Sequence, residues 1–333
     1  MVTGLGMSKG MTVEEDLRPV VLFRVFKRPI ETAATLEALL RRPPRDFYIW
    51  IDAPRNSDEE PLVRAVRDVV YSIPKGDYRV FIRENDVNRG MTRAFKEACD
   101  WFFSHVPEGV IVEDDCVPGS DFLEFCGNLL RKYREDERVL AITGDNSAGG
   151  KVLGSNSYAF VHDFSVWGWA TWRRVWQRYD HDLHEWPRYR RNKDLLATYW
   201  PNRLQRQKWI DRFDRVYSQE PGLQESTWRF MFVGLKTQGS VALPRVNLVS
   251  NIGTNVSTAT GGARSARRAE ATTGSILPIK HPRSTRVSWW TNRTLFYSPK
   301  RHNRQMTWWF PLKKRLRRSA RQVLNRSKLF LKN

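Results

Sequence analysis

Short, dense apolar runs alternate with amphipathic stretches along the first half of the chain. The run PVVLFRVF (19–26) has the length and β-branched content of one buried strand. ETAATLEALLRR (31–42) puts Leu36, Leu39 and Leu40 on one helical face, and Pro43-Pro44 stops it. Residues 47–51 predict a second strand, which closes on Asp52 ahead of the turn-rich APRNSDEEP. Leu62, Val66, Val69 and Val70 then recur at helical spacing over 61–72. The alternation continues with a strand over 78–82, a helix over 90–103 and a strand over 110–112. A helix over 121–133 and a strand over 139–143 follow. Strand–helix units repeated in this way predict an α/β fold with a Rossmann-like, mostly parallel, doubly wound sheet. Further on, residues 201–219 read as a charged amphipathic helix.

In such sheets ligands bind outside the carboxyl ends of the strands. Polar residues fall at those ends: Lys27 and Arg28 after the first strand, Asp52 after the second, Arg83 and Glu84 after the third. The fourth, GVIV, runs into three consecutive acids, Glu113, Asp114 and Asp115. Like charges at this spacing raise one another's pKa unless a cation compensates them. Carboxylate oxygens are hard ligands suited to Mg²⁺ or Mn²⁺, often shared with substrate phosphates. The bland alternative is a solvated acidic turn. No glycine-rich dinucleotide fingerprint or P-loop follows the first strand, which argues against NAD and ATPase chemistry. A divalent metal, basic groups and ribose-binding acids together suggest a nucleoside diphosphate ligand.

Composition adds limits. The 333 residues are 41% apolar and 12% aromatic, enough for a substantial core, and no run approaches the roughly 20 apolar residues of a membrane span. The opening MVTGLGMSKGMTVEED lacks a signal-peptide pattern, and residues 1–16 read as a flexible tail. Cys99, Cys116 and Cys126 lack metal-ligand spacing, as buried thiols in a reducing compartment would. The expected location is cytoplasmic, with peripheral attachment to the inner face of the membrane. His181 and His184 are spaced HxxH without an evident third ligand, which favours surface placement.

The net charge of +20 is uneven, because no Asp or Glu follows Glu270. Near the end Trp309, Leu312, Leu316, Ala320 and Val323 recur at helical spacing, with Lys313, Lys314, Arg317, Arg318 and Arg321 on the other sides. Residues 305–333 so suit an anionic membrane surface. A nucleic-acid backbone and a solvated helix packed on the core stay open as other readings. The expected division is a catalytic domain over 17–282 and a basic amphipathic extension over 283–333.

VLFRVFKRPIETAATLEALL, FYIWIDAPRNSDE, VIVEDDCVPGSDFLEF and FSVWGWATWRRVW, with LPRVNLVSNIG and LPIKHP further on, carry a resemblance. The chain resembles a bacterial GT-A-fold, family-2-like glycosyltransferase related to the N-acetylglucosaminyltransferase I group. The resemblance covers about 18–282 and implies transfer of a hexosyl or N-acetylhexosaminyl group from a nucleotide-diphosphate sugar. It implies Asp115 as ligand of a divalent metal, Mn²⁺ or Mg²⁺, on the donor diphosphate, with Glu113 and Asp114 orienting donor sugar and ribose. Asp52 would contact the nucleoside, though an Asp before Ala-Pro is also a good turn former. Arg28 and Arg83 join the donor set. Arg24, inside the first strand, is assigned no more than a snorkelling stem.

Trp167, Gly168 and Trp169 are the acceptor-binding candidates, since indole faces stack on sugar rings. The same segment would also serve as a plug closing the second half of the sheet, and Trp172 and Trp176 read as helix core. Asn247, Ser250 and Asn251 are expected near the donor, under a loop over 254–276. Inversion needs a general base. Relatives place an Asp where this chain has Thr227, a departure that leaves Glu225 as the catalytic candidate and Asp211 or Asp214 as substitutes. A Glu there is equally a helix N-terminal charge. The expected partners are a nucleotide-sugar donor and a glycan or lipid-linked glycan acceptor. The alternatives are a GT-A-fold sugar-binding protein without turnover, which Thr227 favours, and a basic nucleic-acid-binding protein.

Overall fold

A computed structural model describes residues 16–146, 155–223, 226–253 and 273–297. The first half follows the predicted alternation: β1 (Val20–Val25), α1 (Pro29–Leu40), β2 (Asp46–Ile51), α2 (Glu60–Tyr71), β3 (Arg79–Glu84), α3 (Met91–His105) and β4 (Glu108–Glu113). Proline at the first position starts α1, where its missing N–H costs nothing. On α3 the buried residues Ala94, Phe95, Ala98, Cys99, Phe102 and Phe103 form one apolar stripe facing the sheet. All six residues of β2 are buried, as a strand covered on both faces requires.

β5 (Cys116–Pro118), α4 (Phe122–Lys132), β6 (Val139–Thr143), β7 (Tyr158–Val161), β8 (Trp169–Trp172), α5 (Arg173–Trp176), α6 (Trp186–Arg191), α7 (Lys193–Tyr199) and α8 (Arg203–Tyr217) follow. The described chain closes with α9 (Ser226–Thr237), β9 (Ser240–Pro244), β10 (Val249–Asn251) and α10 (Trp289–Tyr297).

Among the described residues the main sheet has eight strands in the order β3-β2-β1-β4-β8-β6-β9-β7. β3, β2, β1 and β4 are parallel neighbours. β8 enters antiparallel between β4 and β6, and β9 is parallel to β6 but antiparallel to β7. The pairings make every strand of the sheet except β8 and β7 run one way, so the fold is the expected α/β sheet with a mixed second half. Trp172 ends β8 and does not lie in a helix; Trp176 lies in α5, and both are buried.

The second half is packed with aromatic rings. Trp200 stacks on Trp209 with centroids 5.8 Å apart, and Trp186 meets Phe213 edge-on at 5.0 Å. Buried indole N–H groups need acceptors. Trp209 donates to Asp163, Trp186 to Asp214 and Trp176 to Asp100, all within 2.9 Å. Residues 283–297 stay with the sheet: Ser288 N donates to Phe160 O, and Asn292 Oδ1 accepts from His162 N and Asp163 N. The basic run 305–333 lies outside the described residues. No described helix is long and apolar enough to cross a membrane.

Candidate functional site

The register of the parallel half brings Arg24 of β1 opposite Glu113 of β4, and Val25 opposite Ile51 of β2. The polar ends of the three strands therefore lie side by side. Arg24 Nη1 donates to Glu113 Oε1 at 2.7 Å, and its guanidinium lies 5.1 Å from the Phe95 ring. Arg24 is thus no mere stem: it is the fixed countercharge of the first acid, a role that cross-strand register reveals and local sequence does not.

The next two acids turn toward the start of α1. Asp114 accepts from Phe26 N and from Arg28 Nη1, each at 3.3 Å, and its own carbonyl accepts the Thr35 hydroxyl. Arg28 also pairs with Asp115 Oδ2. Asp115 Oδ1 accepts Asn251 Nδ2 at 3.2 Å and the Cys116 thiol at 3.4 Å. A two-stranded ribbon makes this possible, since β10 pairs antiparallel with β5 and sets Asn251 opposite Cys116. Ile252 N then donates to Asp115 O at 2.8 Å. Gly253 follows against the Asp115 carboxylate, where any Cβ would collide with it.

Burial, opposed by Arg24, pushes the Glu113 carboxyl above its usual range. Burial and then the Asp115 charge push Asp114 up to about 7. Asp114 and Asp115 are each only 8% exposed, so water screens their repulsion poorly. Arg28 stays more firmly protonated than usual: burial works against it, and the charges of Asp114 and Asp115 outweigh that.

One ligand atom each from Glu113, Asp115 and Cys116 lie within 4.8 Å of one another, the one such group among the described residues. The two carboxylates fit a hard divalent cation. The thiol does not, because burial holds it protonated. A cation would therefore rest on Asp115 and Glu113.

Asp52 is buried and locks a turn. Its Oδ1 accepts Ala53 N, Asn85 Nδ2 and Arg89 N within 3.1 Å, while Oδ2 takes a longer bond of 3.3 Å from Arg89 N. Arg83 lies exposed on the edge strand β3 with its guanidinium 5.1 Å from the Trp50 ring centroid. At about 4.8 Å per strand, Asp52 stands roughly 10 Å across the sheet from the acid cluster and Arg83 roughly 14 Å. Lys27 turns to Glu59 at 2.5 Å, an acid that sequence reasoning passed over. Arg55 and then Lys27 hold Glu59 down to about 2.

Of the acceptor candidates, Trp167 is half-buried. Gly168 takes a positive φ of 57° and accepts Gly144 N at 2.7 Å. At that crossing a Cβ would strike Val249, which explains a glycine there. Trp169 corrects the expectation. It is fully buried, with Phe230 at 4.8 Å and Phe95 at 6.2 Å, and offers no face to a sugar.

The catalytic candidate Glu225 lies outside the described residues; Thr227 is half-buried in the first turn of α9. The two substitutes are engaged elsewhere. Asp211 accepts from Gln207, and Asp214 from Trp186 and Arg190. Burial opposes the charge on Asp214, but Arg190 and Trp186 prevail and hold it below the usual range, which weakens it as a base. Asn251 reaches Asp115, while Asn247 Oδ1 accepts Asn146 N. His184 is exposed and pairs with Asp180, and no described metal-ligand cluster includes either histidine of the HxxH pair. Residues 254–272 of the expected loop lie outside the described residues.

No protein-family profile matches the sequence, and no curated protein matches it. Solved structures similar in part include the following two. One is 4-diphosphocytidyl-2C-methyl-D-erythritol synthase from Anaerococcus prevotii, 9% identical, covering 69% of this chain and 90% of its own at a TM-score of 0.34. The other is a UDP-glucose pyrophosphorylase complexed with UDP-glucose, 9% identical, covering 48% of this chain and 78% of its own at a TM-score of 0.30. Neither score reaches 0.5, so the fold rests on the strand order and the chemistry on the site itself.

Proposed function

We propose that the chain is a glycosyltransferase that moves a sugar from a nucleotide-diphosphate donor to a glycan or lipid-linked glycan acceptor, with inversion. The observation that carries this reading is the line of charged groups at one sheet edge, from Asp52 to the cluster of Glu113, Asp114, Asp115, Arg24 and Arg28. The span of roughly 10 Å between its ends suits a nucleoside at Asp52 and its diphosphate at the acids. The resemblance of the motif stretches to GT-A glycosyltransferases supports the same assignment.

In this reading the nucleoside meets Asp52 and Arg83, and Glu113 and Asp114 orient the donor sugar. Asp115, with Glu113 beside it, holds a divalent cation, which when bound supplies charge neutralisation for the departing diphosphate. Arg28 stands at the same place and offers planar N–H donors to phosphate oxygens. The acceptor oxygen forms its bond to the anomeric carbon as the bond to the diphosphate breaks, and the diphosphate leaves with the bonding pair. Glu225 takes the acceptor proton. Trp167 and Gly168 border the acceptor side, and the basic run 305–333 keeps the enzyme at an anionic membrane surface. Most of the catalysis is then positioning and fixed charge.

The test is a panel of nucleotide sugars with Mn²⁺, read as release of free nucleoside diphosphate, with donor binding measured in parallel by calorimetry. Release from one donor, lost in Asp115→Ala and in Glu225→Gln, is the expected result. Absence of binding to every donor, with and without metal, overturns the reading. Donor binding without release in any acceptor mixture would favour the sugar-binding alternative, which the Thr227 departure motivates.

A further inference from the structure

Both oxygens of the principal metal-ligand candidate are already engaged by the protein. Asp115 Oδ1 holds Asn251 Nδ2 and the Cys116 thiol, and Oδ2 holds Arg28 Nη1. Gly253 closes against the same carboxylate. A cation approaching Oδ2 therefore meets a guanidinium in place, and two positive charges cannot share one carboxylate oxygen at bonding distance without strong repulsion.

The two arginines of the cluster differ in their freedom. Arg24 sits within β1, its side chain 11% exposed, with its partner set by strand register. Arg28 lies beyond the strand, immediately before α1, and its side chain is 31% exposed. Its long stem can swing outward without moving the backbone, leaving Asp114 and Asp115 open on that side. A guanidinium also binds phosphate oxygens in a planar, two-pronged fashion, so a diphosphate at this edge competes with the carboxylates for it.

We infer that Arg28 is a built-in counter-cation that competes with the divalent metal for Asp115 and yields it when a nucleoside diphosphate draws the guanidinium away. The competition stands on the geometry; the identity of the diphosphate rests on the proposed function. Metal and nucleotide then load together, each raising the affinity of the other by the same factor. A chain without nucleotide would carry little metal.

The test is Mn²⁺ binding to the full chain, followed by electron paramagnetic resonance, for the wild type, Arg28→Gln, Arg28→Lys and the double variant Arg28→Gln with Asp115→Asn. Without nucleotide, Arg28→Gln is expected to bind Mn²⁺ about tenfold more tightly than wild type, the size of a modest local charge term. Arg28→Lys, which keeps the positive charge, stays near wild type, and Asp115→Asn abolishes the gain. Equal or weaker binding by Arg28→Gln overturns the competition, and so does a gain that survives Asp115→Asn. In a second arm UDP, GDP, ADP and CDP are added in turn. At least one is expected to tighten Mn²⁺ binding of the wild type markedly and that of Arg28→Gln much less; equal tightening overturns the release of Arg28. Should Arg28→Gln fail to fold, the wild type decides: Mn²⁺ held as tightly without nucleotide as with it overturns the inference. If the nucleotide-free competition appears while the donor panel shows neither binding nor release, the glycosyl-transfer reading falls and the competition stands.

Discussion

The two halves of the sheet use the same residue types for opposite ends. In the half formed by β3, β2, β1 and β4, acids reach the strand ends and gather guanidiniums: Glu113 with Arg24, Asp114 and Asp115 with Arg28. In the half beyond β8, acids anchor indoles, buried Asp163 for Trp209 and Asp214 for Trp186 alongside the surface guanidinium of Arg190. A carboxylate oxygen that accepts from a buried indole N–H satisfies a donor the core would otherwise leave unpaired. The acid cluster of the first half instead sets three acids against two arginines, and burial and the neighbouring Asp115 push Asp114 up to about 7. The difference is one of crowding: the acids of the first half stand against one another at a sheet edge, whereas Asp163 and Asp214 stand singly against core tryptophans.

The largest effect should come from attacking the aromatic half. Trp200 is fully buried against Trp209, and Trp200→Ala is expected to cost about 3–5 kcal/mol of unfolding free energy. Urea denaturation measures it; a cost below about 1 kcal/mol would mean that the aromatic packing is not what holds this half. The reverse pattern is expected from Asp115→Asn. Nucleoside diphosphate release falls about a hundredfold, as when a transition-state charge loses its partner, while stability changes little because Arg28 keeps Asp114. Parallel kinetics and melting curves decide whether the two effects separate.

A smaller, pH-dependent effect should be confined to the charged half. Asp114 is raised from 3.8 to about 7 by burial and Asp115, with Arg28 opposing and Glu113 adding to the rise. The folded chain therefore binds a proton there that the unfolded chain has already lost. Its contribution to stability is complete below about pH 4, declines as pH rises toward about 7 and is flat above. Urea midpoints measured across that window should fall less steeply in Asp114→Asn than in wild type; identical slopes would remove Asp114 from the account. The smallest effect is expected at the rim. Arg83→Ala should cost under about 1 kcal/mol of stability, the worth of an exposed cation–π contact, and weaken donor binding about fivefold. An unchanged donor affinity would leave Arg83 as cover for Trp50 alone.

Much of the first half was legible residue by residue. The run 19–26 became Val20–Val25, the stretch 31–42 became Pro29–Leu40 with its proline stop, and the acids of 113–115 fell at the end of β4 as a parallel sheet demands. These elements are signalled locally, by apolar runs and helical spacing, and β1, β2 and β3 are joined in turn to their sheet neighbours by single crossovers. The second half was not legible in the same way. GWATW carries no local sign that Trp169–Trp172 inserts antiparallel between β4 and β6, because that pairing depends on strands far away in the chain. For the same reason Trp169 looked like a sugar platform and proved to be core.

The sequence by itself determined the α/β class, the order of the first elements and the sheet edge on which the acids stand, since periodicity and apolar length act over a few residues. Tertiary structure decided which charges meet. Arg24 pairs with Glu113 through strand register, Arg28 reaches Asp115 across the start of α1, and Asn251 arrives from a ribbon more than a hundred residues downstream. Electrostatic partnership depends on distance in space and on burial, and the chain acquires both only when the sheet closes.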